Sequence, residues 1–416
     1  MATFRVWYST ESFANYIIDY TILNTRSVTK SKMFESDASH PNDFHKMPDH
    51  IKKILYLDAP DIIVEYNSEP IFSIEISKEA GTGHNVFQRF ARLGAAVEND
   101  VPAIFIYPEA TIITRQPKRP GGSTTVKWDQ LNGLIFQAMK ESMDIYQIPA
   151  LFFYFPSDFR TCPNPLTSTH QATKGLLLDR YRYADSPLHS DPEMTSLFGC
   201  LNEIITTVET HGVIDGRAKL LREPNIRARK AFMEAEIIRK GVTGNESPIS
   251  STKIIPTDYL LNYLSTFTSG SYSIGELLRS RPETLVYCVD AGFRGDPYAG
   301  ALAAVDYLKC RKGKTFEDRY YNLVLCWGEI TEDHTNRTIT VNSTKCKVQD
   351  FVDVVKNSNP KSLLTKDYAA LRPHEIPRYY MQVRYGSSYS KVKHIRVFSY
   401  FADAIIFRDG AFWRDA

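Results

Sequence analysis

The stretch Pro60-Asp61-Ile62-Ile63-Val64-Glu65-Tyr66-Asn67-Ser68-Glu69-Pro70-Ile71-Phe72-Ser73-Ile74-Glu75-Ile76-Ser77-Lys78 decides how this chain is read. Ile62, Ile63 and Val64 predict a strand, Asn67-Ser68-Glu69-Pro70 a turn, and Ile71 to Ile76 the returning strand, because β-branched runs bounded by turn formers favour a hairpin. Asp61 and Glu75 then stand at the open end of that hairpin. A hard divalent cation takes oxygen ligands, so two carboxylates converging there suit Mg2+ with waters left in place for chemistry.

Outward from the hairpin, Gly81-Thr82-Gly83 reads as a loop. The segment Asn85 to Val97 follows with apolar residues at helical spacing, and Val101-Pro102-Ala103-Ile104-Phe105-Ile106-Tyr107-Pro108 reads as a buried strand. Over residues 50–110 this order and the Pro-Asp…Glu-Ile-Ser-Lys residues resemble the PD-(D/E)xK nuclease superfamily, which includes most type II restriction endonucleases. The resemblance implies an α/β, restriction-endonuclease-like core, a mixed sheet flanked by helices, acting on double-stranded DNA with Mg2+ and leaving 5′-phosphate ends. It implies that Asp61, Glu75 and the main-chain carbonyl of Ile76 ligate the metal. Lys78 would stabilise charge developing at the phosphate, and Gln88 and Arg89 would turn a polar helix face toward it.

One position departs from the family pattern. Glu75-Ile76-Ser77-Lys78 puts Ser77 where lysine is expected, and strict strand alternation sends Ser77 to the side of Glu75 and Lys78 to the opposite face. A bulge at Ser77 would swing Lys78 back; alternatively Gln88 or Arg89 supplies the cation, or the chain keeps the fold and binds nucleic acid without cutting it. A junction or repair nuclease of the same superfamily is a further alternative. Each residue also has a plain structural account: Pro60-Asp61 as a turn device, Glu75 on a half-exposed sheet face, Arg89 and Arg92 on a solvated helix face rather than on phosphates.

The remaining sequence bounds these readings. The chain has 416 residues, 43% of them hydrophobic, and a net charge of +2, so it is long enough for two or three domains and does not announce a polyanion partner by bulk charge. No apolar stretch approaches the length of a membrane span, and six scattered cysteines without a Cys-x-x-Cys pair suggest neither zinc nor a disulfide framework, which sets the expectation of a reducing cytoplasm. The expected division is 1–160 for the nuclease-like part, 161–270 for a helical, basic part, and 271–416 for an α/β unit serving DNA recognition or dimerisation. Cations gather at Arg217 to Lys230, where Arg227, Arg229 and Lys230 are candidate DNA contacts, at Lys309, Arg311, Lys312 and Lys314, and at Lys391, Lys393, His394 and Arg396. Asp290 and Asp296 form a weaker second metal candidate, and Asp409-Gly410 predicts a terminal hairpin. Cutting both strands with one centre per chain favours a homodimer.

Overall fold

A computed structural model describes residues 3–33, 47–55, 59–78, 90–115, 121–131, 133–167, 175–241, 250–267, 274, 276–289, 308, 310–314, 318–344, 347–348 and 402–413. Within these the protein is α/β, with mixed sheets flanked by helices.

The first sheet runs β2-β1-β3-β4-β5-β8, where β1 is Phe4–Tyr8, β2 Val28–Lys32, β3 Ile62–Tyr66, β4 Glu69–Ile76, β5 Ala103–Pro108 and β8 Ala150–Phe155. β1, β3 and β4 pair antiparallel, whereas β5 joins β4, and β8 joins β5, in parallel. Every residue of β5 and of β8 is buried. Their unbroken apolar runs, Ala-Ile-Phe-Ile-Tyr-Pro and Ala-Leu-Phe-Phe-Tyr-Phe, are what a strand covered on both faces requires. The hairpin β6 (Ala110–Arg115) and β7 (Thr125–Gln130) follows β5.

Helices cover this sheet. Helix α1 (Glu11–Asp19) buries Phe13, Tyr16 and Ile17, one stripe at helical spacing, and packs on β1. Helix α2 (Asp49–Leu55) packs on α3 (Phe90–Val97), which crosses between β4 and β5, and α4 (Leu134–Tyr146) makes the next crossover to β8. Helix α5 (Pro192–His211) starts at an Asp191 cap that accepts the Glu193 N–H at 2.9 Å, with proline in the first turn, a signal written in the sequence. It lies across β4 and β8, and α6 (Val213–Lys219) and α7 (Pro224–Lys240) return along it.

The second sheet runs β15-β14-β11-β10-β9, where β9 is Ser250–Pro256, β10 Glu283–Val289, β11 Asn322–Cys326, β14 Ala404–Phe407 and β15 Gly410–Trp413. β10, β11 and β14 are parallel neighbours, β9 and β15 run antiparallel at the edges, and Arg408-Asp409 turns β14 into β15. The hairpin β12 (Glu329–Asp333) and β13 (Thr338–Asn342) packs against α8 (Thr257–Ser265), with α9 (Glu276–Arg279) beside it.

The expected division at 160 and 270 is not the one the sheets follow. Leu197, Leu201, Ile205, Ile226 and Met233 belong to the core of the first sheet, so the helices read as a separate basic region are its cover. β9 and α8, placed in that same region by their sequence position, belong to the second sheet. Leu285, Tyr287, Leu323, Leu325, Trp327, Ile405 and Phe407, on one face of the second sheet, join the core of the first.

Candidate metal and phosphate site

The hairpin β3–β4 closes through Asn67 and Ser68, both with positive φ (52° and 65°), so the turn is two residues rather than the four expected, and β4 already starts at Glu69. A bulge then sets the register. Glu65 pairs with Pro70 but Val64 pairs with Phe72, leaving Ile71 as the extra residue. Beyond it Ile62 faces Ile74, and the Asp61 N–H donates to the Ile74 carbonyl at 2.9 Å. Without the extra residue a two-residue turn would set Asp61 against Ile74; with it, Asp61 stands against Glu75.

The two carboxyl groups do come together, close enough for the charge of Glu75 to act on Asp61. Asp61 Oδ2 accepts the Ile76 N–H at 2.8 Å. Glu75 is 1% exposed; it accepts from Arg92 Nη1 through Oε2 and from the Tyr107 hydroxyl at 3.2 Å through Oε1. Burial, and then the negative charge of Glu75, push the Asp61 carboxyl well above the usual carboxylate range, against the opposing pull of Arg92 and the Ile76 N–H. Arg92 comes from α3, so the helix after the hairpin does aim a cation at the acidic pair. That guanidinium, weighed on sequence between solvent and phosphate, is bound to Glu75 instead.

Asp61 opens onto a cavity of about 390 Å³ lined by Thr10, Phe13, Asp61, Ile76, Ser77, Lys78, Ala184, Asp185 and Ser186. Strict alternation does not apply at its floor. β4 ends at Ile76, the Ser77 N–H donates to the Ile106 carbonyl at 3.0 Å, and Ser77 and Lys78 both line the cavity. A bulge at Ser77 was one of the alternatives for bringing Lys78 round; the register shift of this hairpin lies at its turn end, and Lys78, two residues beyond the end of β4, lines the same cavity as Asp61. Lys78 Nζ is 2.6 Å from Asp185 Oδ1 on the opposite wall.

The wall carrying Asp185 was not legible as part of a site. Residues 175–191 connect β8 to α5 and pass over the end of the sheet. They are pinned by Asp179, whose carboxylate accepts from the Tyr20 hydroxyl at 3.2 Å and the Arg182 N–H at 3.3 Å and lies 3.0 Å from His189 Nδ1. The Arg-Tyr-Arg-Tyr run there was available as a signal, an alternation of cations and aromatics.

The expected DNA contacts divide. Arg229 is buried, bound to Glu193 through Nη1 at 3.2 Å and Nη2 at 2.7 Å and to the Phe152 carbonyl at 2.6 Å, with its guanidinium 4.2 Å from both the Phe153 and Phe232 rings. It is a strut between α7, α5 and β8, and the reading of it as a phosphate contact is corrected. Lys230 pairs with Asp144 of α4 at 3.1 Å, whereas Arg227 is exposed. Arg311 and Lys314 reach Glu98 at 3.9 Å and Asp100 at 2.8 Å, tying the second sheet to the loop after α3. Gln88, Arg89, Lys309, Asp290, Asp296, Lys391, Lys393, His394 and Arg396 lie outside the described residues.

Comparison with protein-family models, with curated proteins and with solved structures returns no match to this chain. Among the described residues no group of three or more histidine, cysteine or acidic side chains gathers as a metal centre, so a cation here would rest on the Asp61–Glu75 pair and main-chain oxygen. That donor set is all oxygen and doubly acidic, which suits a hard divalent ion. No helix among the described residues is long and apolar enough to cross a membrane. Among the described residues, Cys162, Cys200, Cys288 and Cys326 stand outside any disulfide.

Proposed function

We propose that the protein is a Mg2+-dependent endonuclease of the restriction-enzyme kind, hydrolysing phosphodiester bonds of double-stranded DNA to 5′-phosphate ends. The observation that carries this reading is the meeting of Asp61, at the entry to β3, with the buried Glu75 of β4, where Asp61 and Lys78 line one cavity. The sheet supports it: an antiparallel run β1-β3-β4, then α3 and a parallel β5, is the hairpin, helix and strand order of a restriction-endonuclease-like core.

Asp61, Glu75 and the Ile76 carbonyl would hold Mg2+, which supplies Lewis-acid polarisation of a phosphoryl oxygen and a more acidic water. The chain's own groups do the rest. Lys78, drawn off Asp185 by the incoming phosphate, offsets charge that builds on the phosphoryl oxygens. Arg92 holds Glu75 in place from the helix side, and Phe13 closes the cavity with an apolar wall. Two chains related by a two-fold axis would cut the two strands of a symmetric site.

A second reading has its own support. The Arg92 guanidinium already neutralises Glu75, which suits a protein that keeps the fold and binds nucleic acid without hydrolysis. One experiment separates them. Incubated with phage DNA and Mg2+, the wild type yields discrete fragments, whereas Asp61→Asn and Glu75→Gln leave the DNA intact yet still bind it. Mn2+ binding, followed by its paramagnetic resonance, weakens in both variants. Two variants that cut like the wild type would displace the active centre from this hairpin; shifted but uncut DNA with the wild type favours the second reading.

A further inference from the structure

Residues 177–188 form an arm whose tip is half inside the candidate site and half outside it. Its two sides are tied by the Leu188 N–H to Leu177 carbonyl bond at 2.8 Å, by the Asp179 N–H to Ser186 carbonyl bond at 2.9 Å, and by the antiparallel bridge of Leu178 with Pro187. Inward, Tyr183 is buried, its ring edge-on to Tyr16 and Tyr20 and its hydroxyl on Asp19. Ala184, Asp185 and Ser186 then form the cavity wall, with Asp185 on Lys78. Outward, Arg180, Tyr181 and Arg182 face solvent, and the Tyr181 ring is fully exposed.

A tyrosine ring held out on a braced tip between two guanidinium groups combines the two contacts that a nucleic-acid strand recognises, an aromatic face for a base or sugar and cations for phosphate. Arg182 is already splinted, 2.8 Å from Asp19 and over the Tyr183 ring at 5.3 Å, which stiffens the tip. The position of the tip is fixed by Asp185. Four residues span at most about 14 Å, so the backbone at Tyr181 stays within that distance of Asp185, the residue that meets Lys78.

We infer that this arm is a nucleic-acid grip, in which Arg180 pairs with a backbone phosphate and Tyr181 lies against a base or sugar of the strand that enters the cavity. The inference rests on the nuclease-like reading of the Asp61–Glu75 site and adds to it a DNA-contacting element on a different segment of the chain.

The test is duplex binding by the full chain, measured by fluorescence anisotropy in Ca2+ over a salt series. Tyr181→Ala weakens binding about tenfold, and Tyr181→Phe restores most of it. Arg180→Ala lowers the slope of log affinity against log salt by about one, a readout that loss of folding does not mimic. If Tyr181→Ala and Arg180→Ala bind with wild-type affinity and slope while the wild type still cuts DNA, the arm is not a grip and the site reading stands. A wild type that neither binds nor cuts removes both.

Discussion

Arg229 offers the sharpest test of how this structure is held together, because a residue picked from the sequence as a phosphate contact turns out to be a buried ion-pair strut. It is 4% exposed, bonded through two nitrogens to Glu193 and through Nε to the Phe152 carbonyl, and flanked by two aromatic rings. Glu193 in turn accepts the Tyr154 N–H at 2.8 Å. Arg229→Ala therefore strands a carboxylate that is only 14% exposed. Removing one member of such a pair costs about 3–5 kcal/mol, and taking the guanidinium away from the Phe153 and Phe232 rings acts in the same direction. Urea denaturation followed by tryptophan fluorescence should show a loss of that size for Arg229→Ala, and the double variant Arg229→Met, Glu193→Gln should recover most of it because no unpaired charge is left. A loss below about 1 kcal/mol for the single variant would refute the strut, as would a folded Arg229→Ala protein with selectively weakened DNA binding.

Other outcomes follow from separate parts of the structure. Lys78→Ala should lower the rate of DNA cleavage about 10²–10³-fold with little change in melting temperature, since its pair with the largely exposed Asp185 contributes at most about 1 kcal/mol; Asp185→Asn should instead tighten DNA binding, read by anisotropy, by freeing the lysine. Burial alone would raise the Asp179 carboxyl, but His189, the Arg182 N–H and the Tyr20 hydroxyl outweigh it and hold it below its ordinary value. Its contribution to stability is then complete above the unfolded value of about 3.9 and is lost as pH falls through the lower folded one, so Asp179→Asn should flatten the acid limb of the stability curve measured by denaturation at pH 2–5. Ser68 sits at φ 65° in the two-residue turn, and Ser68→Gly should raise stability by about 1 kcal/mol, visible as a higher urea midpoint.

The hairpin strands, β5 and the terminal hairpin were legible because each is written in local periodicity or turn chemistry, although the last turn falls one residue earlier than expected, with Arg408-Asp409 closing β14 onto β15 and Gly410 already paired with Phe407. What local pattern could not supply was register and partnership. The bulge at Ile71, which sets Asp61 against Glu75, has no residue signature, and the end of β4 at Ile76 depends on where β5 leaves it. Charge was the poorest guide. Arg229, Lys230, Arg311 and Lys314 look alike in sequence to any exposed cation, and only the fold shows that acidic partners from distant elements meet them. Asp185 was invisible for the same reason, lying more than a hundred residues from the lysine it meets.

Because one face of the second sheet shares its apolar interior with the first, the two sheets are not jaws on a hinge. Swinging them apart would wet Trp327, Phe407 and their neighbours, a cost that scales with the area uncovered. Whatever enters the cavity lined by Asp61 and Lys78 then meets walls that do not part, and the braced arm bearing Tyr181 carries that rigidity out to the surface.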